Sequence, residues 1–181
     1  TFSLHGQSKD ALAKTQPGAW RYDVAFPGYK CNMTDLQAAI GLVELERYDT
    51  ETLPRRKALC ARYHAAFSSD PRFIVPVLRD EQRESSYHLY MLRITRATEA
   101  QRDAIIEAIA RRQVSVNVHF IPLPLLSFYK AQGHAIDRFP STYSQYSREI
   151  SLPVYFDLTD AQVDEVVAAV KAAVAEVLPE A

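Results

Sequence analysis

The sequence predicts an α/β or α+β fold in which helices cover a small sheet. Three observations carry that prediction. Thr stands three residues before Gln at Thr34–Gln37, Thr98–Gln101 and Thr159–Gln162, the pattern of a helix capping box. Helical spacing of apolar residues follows each box. Short runs of alternating or β-branched residues lie between the helical stretches.

Taken in order, the chain opens irregularly. Pro17, Gly18, Pro27 and Gly28 are turn formers. Between them Trp20, Tyr22, Val24 and Phe26 alternate with Arg21, Asp23 and Ala25, which suits a short extended segment. The first capped helix carries Leu36, Ala39, Ile40, Val43 and Leu45. A second helix starts near Pro54, an allowed first-turn proline, and runs through Ala58 and Tyr63 to about Phe67. Residues 73–77 read as a short apolar strand. Residues 86–95 read as an alternating strand, with Tyr87, Leu89 and Met91 set against His88, Tyr90, Leu92 and Ile94. The helix after Thr98 carries Ile105, Ile106, Ile109 and Ala110. Val114 to Phe120 is a third β-branched alternation, stopped by Pro122 and Pro124. Short helices follow. The helix after Thr159 is the cleanest amphipath, with Val163, Val166, Val167, Val170, Val174 and Val177. An acidic residue follows the Thr of each box, where the positive end of the helix dipole favours it.

Composition bounds the function. With 181 residues, 48% hydrophobic and 24% charged, the chain is an ordinary globular sequence. Lys and Arg total 21 against 22 acidic residues, so no basic excess exists to neutralise phosphates, and a nucleic-acid partner is not expected. No apolar run approaches the roughly 20 residues of a membrane span. The start shows no signal peptide. The first residue is Thr rather than Met, as in a processed or excised chain. Cys31 and Cys60 cannot build a disulfide framework, which suits a reducing compartment, and Cys60 reads as packing.

Self-contained catalytic motifs are missing. The sequence has no HExxH, paired CxxC, GxGxxG, GxxxxGK[ST] or GxSxG. The five histidines lack metal-ligand spacing, and His88 reads as structural. Two features keep a chemical reading open. Gly28-Tyr29-Lys30-Cys31-Asn32-Met33 runs into the capped helix at Thr34; such a turn either binds an anion at the helix start or is a plain capped turn with a solvated lysine. His119, at the end of the third alternation and beside a proline-stiffened loop, either projects into a cleft or is satisfied by a backbone carbonyl.

Several segments jointly resemble the DegT/StrS family of pyridoxal-phosphate sugar aminotransferases. They are Trp20-x-Tyr22-Asp23-Val24, the stretch from Gly28 through Thr34-Asp35-Leu36-Gln37 to Leu42, Arg55-Arg56 with Tyr63, and Ser86-Tyr87-His88-Leu89-Tyr90. Val118-His119-Phe120-Ile121-Pro122-Leu123 and Ile150-Ser151-Leu152-Pro153 complete the set. The resemblance implies the aspartate-aminotransferase fold type. Residues 1–50 would end the large cofactor-binding domain and start a linking helix; residues 51–181 would form the small C-terminal domain, with a small, mostly antiparallel sheet. It implies a cytoplasmic homodimer that uses pyridoxal 5'-phosphate to move an amino group, usually from glutamate, onto a keto group of a nucleotide-linked sugar. Such products feed surface polysaccharide or antibiotic sugars. Asn32 would reach the cofactor phosphate across the dimer interface, and His119, Tyr29 and Lys30 would face the substrate. The chain departs from the family at Lys30, Cys31 and Pro124.

None of the six lysines (Lys9, Lys14, Lys30, Lys57, Lys130, Lys171) matches the family's Schiff-base position. Transamination needs that lysine. The 181 residues alone are therefore expected neither to hold the cofactor covalently nor to catalyse transamination. Two alternatives stay open: a non-catalytic oligomerisation or regulatory module, and a cofactor-dependent sugar dehydratase of the same family.

Overall fold

The computed structural model describes Tyr29, Cys31 and residues 33–179. The extended segment expected over 20–26 lies outside the described residues, as do Gly28, Lys30 and Asn32. The chain divides into two compact units, residues 1–48 and 49–181.

In the first unit, helix α1 (Asp35–Arg47) starts at the Thr34 cap. The Gln37 amide donates to Thr34 Oγ1 at 3.4 Å, and the Thr34 amide donates to Gln37 Oε1 at 3.0 Å. Leu36, Ile40 and Val43, the apolar positions of this helix, are exposed.

The second unit contains α2 (Leu53–Phe67), β1 (Phe73–Ile74), β2 (Tyr90–Ile94), α3 (Glu99–Arg111) and α4 (Ser127–Ala131). It continues with α5 (Pro140–Tyr146), β3 (Glu149–Leu152) and α6 (Asp160–Val177). Pro54 sits in the first turn of α2, where its missing N–H has no helical partner to lose. The boxes at Thr98 and Thr159 both close, so all three capping boxes exist as the sequence predicts.

The sheet is antiparallel with order β1-β2-β3. Phe73 pairs with Ile94, and Tyr90, Leu92 and Arg93 pair with Leu152, Ile150 and Glu149. Paired residues share a face. Tyr90, Leu92, Ile94, Ile150 and Leu152 therefore point to one side, where they are buried with the apolar faces of α2, α3 and α6. Tyr63 lies tilted against Tyr90, with ring centres 5.2 Å apart, and Phe67 meets Phe73 edge-on at 4.8 Å. From α6 the core takes Val163, Val166, Val170 and Val174, as the spacing predicts. Met91, Arg93, Glu149 and Ser151 occupy the opposite face.

Three strand expectations need correction. Residues 73–77 supply only the two-residue strand Phe73–Ile74. The strand expected over 86–95 begins at Tyr90, because Tyr87 takes φ of +54° and cannot continue an extended strand. The Tyr87 amide instead donates to Ser85 Oγ at 3.0 Å, and its hydroxyl donates to Glu84 Oε1 at 2.8 Å. Val114 to Phe120 forms no strand. Its main-chain pairing with the sheet is one isolated bridge, Asn117 to Ser151. The third strand is β3, which the sequence reading left without an element.

Candidate functional site

The non-core face of the sheet forms the floor of a cleft within the second unit, with a volume of about 770 Å³. Met91, Arg93 and Glu149 rise from the floor. The strip from His119 to Leu123 forms one wall, and α5 forms another with Thr142, Gln145 and Tyr146. Those three lie at i, i+3 and i+4, so helical spacing puts them on one face. The walls mix apolar surface from Met91, Phe120 and Ile121 with polar groups from Arg93, Gln145 and His119.

Glu149 organises this region. Asn117 and Ser151 exchange both main-chain hydrogen bonds, at 3.1 and 2.7 Å. In an antiparallel ladder the next such pair is His119 with Glu149. That pair does not form a ladder rung. The Glu149 carbonyl accepts from Arg102 Nη1 at 3.1 Å, and the His119 amide donates to Glu149 Oε2 at 3.0 Å. The Ser151 hydroxyl donates to the other carboxyl oxygen, Oε1. Glu149 is 5% exposed. Burial raises its pKa above the ordinary carboxylate value; the Ser151 hydroxyl, the His119 amide and the nearby positive charges oppose that rise.

Behind the cleft lies Arg102 of α3, a buried charge. Its guanidinium donates to the Tyr146 carbonyl at 2.7 Å and to Asp103 Oδ1 at 2.7 Å. The Tyr146 hydroxyl donates to Glu99 Oε1 at 2.8 Å. Arg93 Nη1 donates to Gln145 Oε1, which joins the floor to α5.

His119 lies on the cleft wall, and its Nδ1 is buried without a hydrogen-bond partner among the described residues. No backbone carbonyl among the described residues satisfies Nδ1. Tyr29 is exposed in the first unit. Lys30 and Asn32 lie outside the described residues. Cys60 is buried in α2, as packing requires, and burial pushes its thiol up to about 11.

The sequence reading missed Arg93, Arg102, Gln145, Tyr146 and Glu149. Two carried a signal. Arg93 interrupts an apolar alternation, which marks the non-core face of a strand. Arg102 precedes Ile105 and Ile109 at helical spacing, so it is a charge on the buried stripe. Nothing local distinguishes Glu149.

No lysine lines the cleft. Of the described lysines, Lys57 pairs with Glu84 at 2.6 Å and Lys171 lies over the Phe67 ring. Among the described residues no cluster of potential metal ligands occurs, and no helix is long and apolar enough to cross a membrane.

Comparison with known proteins agrees with this architecture. Residues 1–171 match the DegT/DnrJ/EryC1/StrS aminotransferase family. Spore coat polysaccharide biosynthesis protein SpsC of Bacillus subtilis is 39% identical over 173 residues, which cover 93% of this chain and 44% of that protein. The putative sugar aminotransferase Spr1654 of Streptococcus pneumoniae in its PMP form is 43% identical, with a TM-score of 0.86 over 98% of this chain and 44% of that chain. Its PLP form aligns with a TM-score of 0.84 at 39% identity, over 98% of this chain and 42% of that chain. PseC of Helicobacter pylori, at 23% identity over 95% of this chain and 44% of its own, shares the fold with a TM-score of 0.73. The chain spans less than half the length of these relatives.

Proposed function

Because the chain belongs to the DegT/DnrJ/EryC1/StrS aminotransferase family, we propose that it works as the C-terminal portion of a pyridoxal-phosphate sugar aminotransferase. The enzyme transfers an amino group from an amino-acid donor, glutamate, to a keto group of a nucleotide-linked sugar. The product enters surface polysaccharide or antibiotic sugar biosynthesis. The similarity to a spore coat polysaccharide protein and to a putative sugar aminotransferase supports this reading.

Residues 1–50 complete the large domain and residues 51–181 form the small one. The enzyme acts as a cytoplasmic homodimer. Asn32, at the start of a capped helix, reaches the cofactor phosphate of the neighbouring subunit; the amides of such a helix start favour an anion. Tyr29 and Lys30 contact substrate.

The observation that carries the role of the second unit is the cleft itself, about 770 Å³, in which Arg93, Gln145 and His119 stand beside Met91, Phe120 and Ile121. Arg93 and Gln145 offer polar contacts to sugar hydroxyls, and the apolar wall packs against the carbon face of a ring. The Schiff-base lysine comes from elsewhere in the enzyme, so the 181 residues alone are inactive.

Two measurements test this. The enzyme purified from its source is expected to be a longer polypeptide that aminates a keto-sugar nucleotide at the expense of glutamate; a source protein of only 181 residues would favour a non-catalytic module, and water loss without amination a dehydratase. The isolated chain, mixed with pyridoxal phosphate and borohydride, is expected to give no adduct concentrated at one lysine. Stoichiometric trapping at a single lysine would overturn the stated inactivity.

A further inference from the structure

We infer that Glu149 is a positioning residue for the cleft: its carboxyl takes the His119 amide in place of a main-chain rung and so lifts the His119–Leu123 strip off the sheet edge to make a wall. Only the identity of the ligand rests on the aminotransferase reading.

The argument is geometric. Asn117 and Ser151 are joined as ladder partners, so the chain arrives at His119 in register to continue along β3. Continuation needs the His119 amide to reach the Glu149 carbonyl; that carbonyl instead accepts from Arg102, and the amide goes to the carboxyl. A carboxyl extends farther from the main chain than a carbonyl does. When it accepts the His119 amide, the strip stands away from the strand. Ser151 holds the second oxygen and thereby fixes the carboxyl plane. The strip beyond then presents Phe120, Ile121 and Leu123 at the cleft, all of them exposed. The charged and titratable groups around Glu149 come from every neighbouring element: Arg102 from α3, Arg93 from β2, Tyr146 from α5 and His119 from the strip itself. An apolar residue at position 149 would leave the His119 amide without its acceptor, and the wall would lose its fixed height above the floor.

Two arms test this. The first is amide hydrogen exchange on the 181-residue chain. Glu149→Ala is expected to speed exchange at His119 about tenfold or more, the loss of one charge-assisted bond, while Asn117 and Ser151 keep wild-type protection. Glu149→Gln, which retains an acceptor, is expected to restore part of it. The second arm is steady-state kinetics of the longer enzyme with glutamate and UDP-, dTDP- and GDP-linked keto sugars as probes. Glu149→Ala is expected to raise the sugar KM about tenfold or more with kcat held within about twofold, and Glu149→Gln to fall between it and wild type. Unchanged exchange at His119, or equal loss of protection across the whole unit, overturns the inference. So does a fall in kcat at constant KM. If the wild-type enzyme aminates none of these sugars, the aminotransferase reading fails by itself, and the exchange arm still decides the role of Glu149.

Discussion

The guanidinium of Arg102 lies 4.7 Å from the centre of the Tyr146 ring and donates to the Tyr146 carbonyl, so one buried cation ties α3 to the end of α5. The same group holds the Glu149 carbonyl. Arg102→Met keeps most of the apolar stem but orphans both carbonyls, and it is expected to cost about 3 kcal/mol of unfolding free energy. Arg102→Lys keeps the charge without the planar fork and is expected to lose about 2 kcal/mol. Urea denaturation reads both. A loss below about 0.5 kcal/mol for the Met variant would mean that water replaces the guanidinium without penalty, as it does at an ordinary surface site.

Two buried tyrosines offer a controlled pair. The Tyr63 hydroxyl donates to the Pro153 carbonyl at 3.1 Å, whereas the Tyr90 hydroxyl is buried with no partner among the described residues. Removing a bonded hydroxyl strands its acceptor; removing an unpaired one relieves a desolvated group. Tyr63→Phe is expected to destabilise by about 1 kcal/mol, and Tyr90→Phe to be neutral or to stabilise by up to about 1 kcal/mol. Thermal and urea unfolding of the two variants should therefore diverge in sign or nearly so. Equal losses would show that the Tyr90 hydroxyl is solvated in the folded chain.

How far the sequence speaks for the structure depends on which force acts at each place. Capping boxes are local, so Thr34, Thr98 and Thr159 announce their helices without tertiary help. The apolar stripe of α6 is equally legible because one face of a surface helix must be covered. Strands are less local. Val114 to Phe120 has the alternation of a strand, yet the His119 amide bonds the Glu149 carboxyl instead of the carbonyl that would receive its next rung. In β3 the order Glu149-Ile150-Ser151-Leu152 does alternate polar with apolar, but the run is only four residues long, the minimum for a strand signal, so little marks an element. The floor of the cleft shares this obscurity. Arg93 and Glu149 meet across strands that are 56 residues apart in sequence, and only the register β2–β3 brings them together.

The two thiols should separate cleanly. Cys31 is exposed, while Cys60 is fully buried in α2 and its thiol is pushed up to about 11. Thiolate is the reacting species, and access is required as well. A disulfide reagent at neutral pH is expected to modify one thiol quickly in the folded chain, at Cys31, and both in denaturant. Peptide mapping assigns the site. Fast modification of Cys60 under native conditions would show that α2 opens far more readily than its packing against Tyr63 and the core allows.

The buried carboxyl of Glu149 also leaves a mark on stability against pH. Burial is the largest influence and raises its pKa from the ordinary 4.5. The folded chain therefore binds this proton more tightly than the unfolded chain does. Below the ordinary value both states are protonated, and the group contributes no slope. As pH rises from 4.5 through the higher folded value, the unfolded chain ionises first, so this group makes stability fall. Above the folded value both states are ionised and the penalty stays constant. Gln at this position cannot ionise. The difference in unfolding free energy, Glu149→Gln minus wild type, is thus expected to move in favour of the variant as pH rises through that window, and to be flat on either side. Urea unfolding of both proteins across a pH series measures the difference, in which the titration of distant groups cancels. A difference that moves the other way would mean that the Ser151 hydroxyl, the His119 amide and the neighbouring cations outweigh burial, with the carboxyl more acidic in the folded chain than in the unfolded one.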